Sequence, residues 1–197
     1  LAQELKYCYD TEHCLIICGI NTLKHNWKNE IEKHSDLSCK ILGQRIRKNG
    51  NEYIGGVKER LEDLKSPITE FFVITNIETL RDEKVIKELR TGVNKFDIIF
   101  ADELHVMKSN SSQQGKNFLK LNEAKFMVGA TGTLLVNSPV DSFVPLKWLG
   151  VEHSSKSTFE NYYCVYGGPF GHDLLGYRHL DILQDTINNN SLRRTKD

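Results

Sequence analysis

Short apolar runs and amphipathic stretches alternate through most of the chain, and few folds accept such a pattern. Cys14-Leu15-Ile16-Ile17-Cys18 reads as a strand, followed by TLKHNWKNEIEKH, where Leu23, Trp27 and Ile31 fall four apart on one helical face. Ser38 to Leu42 is a second, weaker strand. VKERLEDLK, residues 57 to 65, is a charged helix with Val57, Leu61 and Leu64 as its apolar stripe. Phe71 to Thr75 is a third strand and ETLRDEKVIKELR a further amphipathic helix. The run Ile98-Ile99-Phe100-Ala101 is a fourth strand, a polar helix passes through Phe118-Leu119, and Lys125 to Gly129 is a fifth. Strands that are apolar almost throughout are buried on both faces, so the pattern predicts a parallel sheet covered by helices on each side. From about residue 139 the pattern turns helical and irregular, with a glycine-rich loop, GGPFG, at residues 167 to 171.

Bulk properties narrow the function classes. At 197 residues the chain is long enough for one well-filled core. The 26 basic and 26 acidic residues balance, so no global field draws it to nucleic acid or anionic lipid. Polyanion contacts are left to local clusters such as Arg45 to Lys48 or Arg193 to Lys196. No apolar run approaches the roughly 20 residues of a membrane helix. The five cysteines lack a disulfide-framework spacing, which suits a reducing interior. The expectation is an intracellular protein of the cytoplasm or nucleoid, or of the nucleus in a eukaryote, with no membrane partner. LAQELKYCY reads as the middle of a helix and SLRRTKD stops without a cap, so the chain is expected to be a piece of a longer protein.

The sharpest local feature is FDIIFADELH, where an apolar strand stops at two adjacent acids, Asp102 and Glu103, with His105 close behind. Ligands of open parallel sheets sit beyond the carboxyl ends of the strands, and these acids fall at such an end. The next strand finishes in GATGT, which sends Thr131 and Thr133 to the same edge. Buried carboxylates are costly unless paired or bound to a cation, so a metal there is physically sensible. The competing reading is a plain helix start, where acids are favoured beside free N–H groups.

DELH followed by ATGT resembles motifs II and III of the superfamily II (DEAD/H-box) helicases, and the wider match is to the Swi/Snf-type branch. CLIICGINTLKHNWKNEIEKH is similar to that branch's motif Ia. FFVITNIETLR resembles its next motif, with Thr75-Asn76 at a strand end and Glu78 after it. The run from the acid box through Lys108, then GATGTLLVNSPVDSFVPLKWLG, and finally LRRTK continue the match in order along nearly the whole chain. The resemblance implies a RecA-like three-layer α/β/α lobe over residues 1–150, with a helical or irregular extension over 151–197 leading toward a second lobe.

By resemblance, the cofactors are ATP and Mg²⁺. Asp102 would hold Mg²⁺ through a water, and Glu103 would orient or deprotonate the attacking water. His105, Thr131, Gly132 and Thr133 would couple the nucleotide site to a nucleic-acid track. Asn21, Thr22, Thr75, Asn76 and Lys108 would contact double-stranded DNA, and Arg193 and Arg194 would lie between the lobes. Two departures stand out. The phosphate-binding loop, GxxxxGK followed by Ser or Thr, does not occur, and Gly115-Lys116 is a decoy because Asn117 follows it. Leu134 and Val136 replace the Pro and Gln usual in motif III.

Other constellations carry less chemistry. Cys8, Cys14 and Cys18 with His13 or His25 include no CxxC pair, so Cys14 and Cys18 read as core and no zinc is expected. Trp27 and Trp148 also read as core. Tyr162, Tyr163 and Tyr166 beside GGPFG fit either a partner surface or ordinary packing. Two functions follow: part of a DNA-dependent ATPase that moves along duplex DNA, or a non-catalytic nucleic-acid or protein-docking module of the same fold.

Overall fold

The computed structural model describes residues 1–20, 23–134 and 137–193. Five strands, β1 (His13–Cys18), β2 (Cys39–Ile41), β5 (Phe72–Asn76), β6 (Phe96–Asp102) and β7 (Phe126–Ala130), form one parallel sheet in the order β2-β5-β1-β6-β7. These are the five apolar runs of the sequence, within one or two residues at each end. Alternation along β1 builds two cores at once. Cys14, Ile16 and Cys18 face one side with Ile41, Ile74 and Ile98, against helix α2 (Leu23–His34) and the N-terminal α1 (Ala2–Tyr9). Leu15 and Ile17 face the other side, with Val73, Ile99 and Ala101. There they meet α3 (Val57–Lys65), α4 (Glu83–Thr91), α5 (Gln113–Leu119) and α6 (Phe143–Trp148). The result is the expected three-layer α/β/α arrangement.

Trp148 is completely buried, stacks on Phe118 at 4.6 Å and donates its indole N–H to the Leu121 carbonyl at 2.7 Å. A buried aromatic whose polar atom is paired contributes its full apolar surface to the core. Strand β7 differs from its neighbours: it lies at the sheet edge and all five of its residues are half-buried.

Three local expectations change. The stretch 78–90 is not one helix. A 3₁₀ turn (Ile77–Arg81) ends at Asp82, whose carboxylate accepts from the N–H groups of Lys84 and Val85 at 2.8 and 3.2 Å and starts α4 afresh. An aspartate inside a helical pattern acts here as an N-cap. Between β2 and α3 the chain makes a small antiparallel hairpin, β3 (Gln44–Ile46) with β4 (Glu52–Ile54), around Gly50 at φ 83°. A second hairpin, β8 (Cys164–Gly167) with β9 (Asp173–Tyr177), spans GGPFG, with Gly168 and Gly171 at φ 81° and 69°. The extension is therefore not purely helical. Its helices α7 (Lys156–Tyr163) and α8 (Leu180–Asn189) share the main core through Phe159, Tyr163 and Leu183. Among the described residues, no helix is long and apolar enough to cross a membrane.

Candidate functional site

Asp102 is the last residue of β6, paired in register with Ala130 of β7. The chain then turns sharply, because Glu103 adopts a left-handed backbone, φ 53° and ψ 48°, and caps a 3₁₀ turn over Leu104–Met107. Two glycines make room for that turn. A Cβ on Gly19, just past β1, would sit 2.8 Å from Glu103 Cβ, and one on Gly129 would sit 2.3 Å from Leu104 Cδ2. Strand ends β1, β6 and β7 thus close around the acids by backbone approach.

The carboxylates are held differently. Asp102 Oδ2 accepts the indole N–H of Trp27 at 2.9 Å, and Oδ1 accepts the Glu103 N–H at 3.0 Å. Glu103 is freer, with a side chain 45% exposed, and its Oε2 lies 3.2 Å from His105 Nδ1. That same nitrogen lies 2.9 Å from Thr131 Oγ1. Thr131 Oγ1 donates to the Thr133 carbonyl at 3.1 Å and accepts from the Thr133 N–H at 3.3 Å. The tautomer that satisfies all of these contacts carries its proton on Nδ1, shared between Glu103 and Thr131. A continuous polar chain, Glu103–His105–Thr131–Thr133, therefore joins the ends of β6 and β7. Gly132 is exposed within it, and Lys108 is exposed just beyond the 3₁₀ turn.

The end of β5 is organised inward. Thr75 and Asn76 are each 1% exposed. Asn76 Oδ1 accepts from Thr79 Oγ1 at 2.7 Å and from Lys24 Nζ at 3.4 Å, while its Nδ2 donates to Glu78 at 3.2 Å. Thr75 Oγ1 has no partner among the described residues. The Asn76 side chain is thus committed to Thr79, Lys24 and Glu78, and both side chains are buried rather than presented at the surface. Burial, then the nearby charge of Arg60, lowers the Lys24 ammonium to about 8. Asn21, Thr22 and Arg194 lie outside the described residues; Arg193 is exposed.

The metal-ligand inventory is sparse. Among the described residues no group of three His, Cys, Asp or Glu side chains converges. Cys14 and Cys18 face the α1/α2 core, and burial raises both thiols to about 12, so neither supplies a thiolate. One oxygen-only carboxylate, Asp102, beside a freer one suits Mg²⁺, which protein sites hold through one or two carboxylates with waters and substrate phosphates. Gly115 of the decoy pair lies inside α5, N-capped by Ser112, and not in a phosphate loop. The sequence reading missed Trp27 as a partner of Asp102, and Lys24 altogether. Their three-residue spacing on α2 was the available signal.

Residues 2–197 match the SNF2-related domain family. No curated protein matches the sequence. Among solved structures, the fold is similar to the Sulfolobus solfataricus SWI2/SNF2 ATPase core in complex with dsDNA, with TM-score 0.69 and 18% identity. That likeness covers 98% of this chain and 36% of the other, so this chain spans about a third of that protein's length. The chain belongs to the SNF2-related domain family.

Proposed function

We propose that this chain is the N-terminal lobe of a DNA-dependent ATPase that couples ATP hydrolysis to movement along duplex DNA. One observation carries the reading: Glu103 is a half-exposed carboxylate on a strained turn at the sheet's carboxyl edge, wired through His105 and Thr131 to the end of the next strand. A docking module has no use for such a relay. Membership of the SNF2-related family, and a fold shared with an ATPase core solved on dsDNA, support it.

In this reading Glu103 orients the attacking water and takes its proton, a contribution of roughly 10² to 10⁴ for a positioned base. Asp102 presents its carboxylate to Mg²⁺. When bound with the nucleotide, that ion neutralises charge on the transferred phosphoryl group. His105, Thr131, Gly132 and Thr133 relay changes at Glu103 to the neighbouring strand end. In this reading Asn21, Thr22 and Lys108, with the backbone at Thr75-Asn76, would contact DNA phosphates, which position without reading sequence. Arg193 and Arg194 would serve between this lobe and a second RecA-like lobe.

The test is Glu103→Gln in the full-length protein, which keeps shape and hydrogen bonding but removes the base. ATP binding is expected to persist while DNA-stimulated turnover falls by about 10² or more. Near-normal turnover in that variant would overturn the assignment.

A further inference from the structure

The Trp27 indole N–H is spent on a carboxylate at the heart of the site. Trp148 serves the core and gives its N–H to a backbone carbonyl; Trp27 gives its own, at 2.9 Å, to Asp102, 75 residues away. We propose that Trp27 is a positioning residue for Asp102, fixing the orientation in which that carboxylate meets the Mg²⁺–nucleotide. The proposal rests on the reading of Asp102 given above.

The geometry supports it at three levels. Phe100 and Asp102 are two apart on β6 and so share one face of the strand. The Trp27 ring packs edge-on against Phe100, with centroids 5.2 Å apart and planes at 63°. The ring is thereby held over the same face on which Asp102 stands. Next, the bond is charge-assisted and of normal length for its class. The terminal torsion of an aspartate is broad and roughly two-fold. With only the Glu103 N–H on Oδ1, the carboxylate could swing about that bond. With the indole on Oδ2 both oxygens are anchored, each keeping a lone pair for outside ligands.

The third level is the helix itself. Lys24, three residues before Trp27 on α2, reaches Asn76 at the end of β5. One helix face therefore contacts the ends of β5 and β6 together. A purely apolar role at position 27 would be filled as well by Phe or Leu. Only a residue with an apolar body and a donor tip seals the α2–β6 contact and orients a carboxylate at once.

The test uses the full-length protein and a non-hydrolysable ATP analogue, titrated calorimetrically across a series of Mg²⁺ concentrations. Trp27→Phe keeps a ring against Phe100 and removes only the donor. It is expected to raise the half-saturating Mg²⁺ concentration roughly 10-fold, the usual effect of losing a group that orients a metal-holding side chain. Phe100→Leu disturbs the same packing without touching the N–H. It is expected to lower the melting temperature while leaving the Mg²⁺ midpoint in place. In an Asp102→Ala background, Trp27→Phe is expected to add nothing.

An unmoved midpoint in Trp27→Phe, or an equal shift in Phe100→Leu, overturns the positioning role. If Asp102→Ala shifts the midpoint while Trp27→Phe does not, Trp27 is packing alone and the ATPase reading stands. If Asp102→Ala itself leaves Mg²⁺-dependent binding unchanged, the ATPase reading fails first.

Discussion

Lys24 is a lysine buried in the core of the lobe. Its ammonium is completely buried, and its one polar contact among the described residues is a 3.4 Å approach to a neutral amide oxygen. Burial and the charge of Arg60 lower it from 10.5 to about 8. The folded chain therefore binds fewer protons than the unfolded chain between those two values. Unfolding free energy then rises with pH across that window. The penalty is fully present below about pH 8 and is relieved as pH climbs toward 10.5. Lys24→Met is thus expected to stabilise the protein at pH 7 by about 1–3 kcal/mol, as replacing a poorly paired buried charge by an apolar side chain commonly does. Its advantage over the wild type is expected to shrink at pH 9 and nearly vanish by pH 10.5. Urea denaturation of both proteins at those pH values checks this; an advantage that does not change with pH would show that the fold leaves the Lys24 ammonium titrating as it does in the unfolded chain. Residues of this kind were illegible in the sequence for a physical reason. Asp102, Glu103 and His105 announce themselves because acids and a histidine sit together after an apolar strand. Lys24 and Trp27 look like the ordinary polar and apolar faces of a helix until partners 52 and 75 residues away are brought beside them.

At the scale of elements, strands were easier to read than turns. The three central strands, β5, β1 and β6, are buried on both faces by helices, so burial left apolar runs in the sequence. The two hairpins left no such mark. The strands of the first are three residues each, and those of the second are largely exposed, so neither needs an apolar run. The split at Asp82 was missed because the apolar stripe continues through it; Leu80, Val85, Ile86 and Leu89 all enter one core. The edge of the sheet offers a test of how tightly these elements close on the site. Glycine inside a strand ordinarily costs about 0.5–1 kcal/mol relative to alanine, so Gly129→Ala in β7 would by propensity stabilise. Here the new Cβ would stand 2.3 Å from Leu104 Cδ2, and Leu104 is only 2% exposed, so its side chain would have to repack inside the core. Overpacking of a filled core costs about 1–3 kcal/mol, which exceeds the propensity gain. Gly129→Ala is therefore expected to be destabilising by roughly 1–2 kcal/mol, read from the urea midpoint. A stabilised variant would mean that the 3₁₀ turn after Glu103 yields easily. The relay through His105 would then be less rigid than its bonds suggest.

At the scale of the whole molecule, charge decides how the lobe would hold a polyanion. With 26 positive and 26 negative side chains the chain has no net field to draw DNA in. Much of its local positive charge is already committed: Lys40 and Arg45 to Asp63, Arg90 to Glu123, Lys95 to Asp97. Lys108 differs in being exposed at the carboxyl edge of the sheet, just past the turn that carries Glu103 and His105. A lysine there would meet phosphate and not base edges, because a flexible ammonium reports charge and not pattern. Binding through this edge is accordingly expected to be weak in the lobe alone, nearly indifferent to sequence and steeply dependent on salt. In the full-length protein, Lys108→Ala is expected to lower affinity equally for two unrelated duplexes. The slope of log affinity against log salt should fall by about one, the signature of a single lost phosphate contact. Titrating both duplexes at several salt concentrations, with and without the substitution, separates the possibilities. An unchanged slope would place Lys108 off the DNA path. A loss confined to one duplex would mean that this edge reads bases, which a translocating motor has no reason to do and a docking module has.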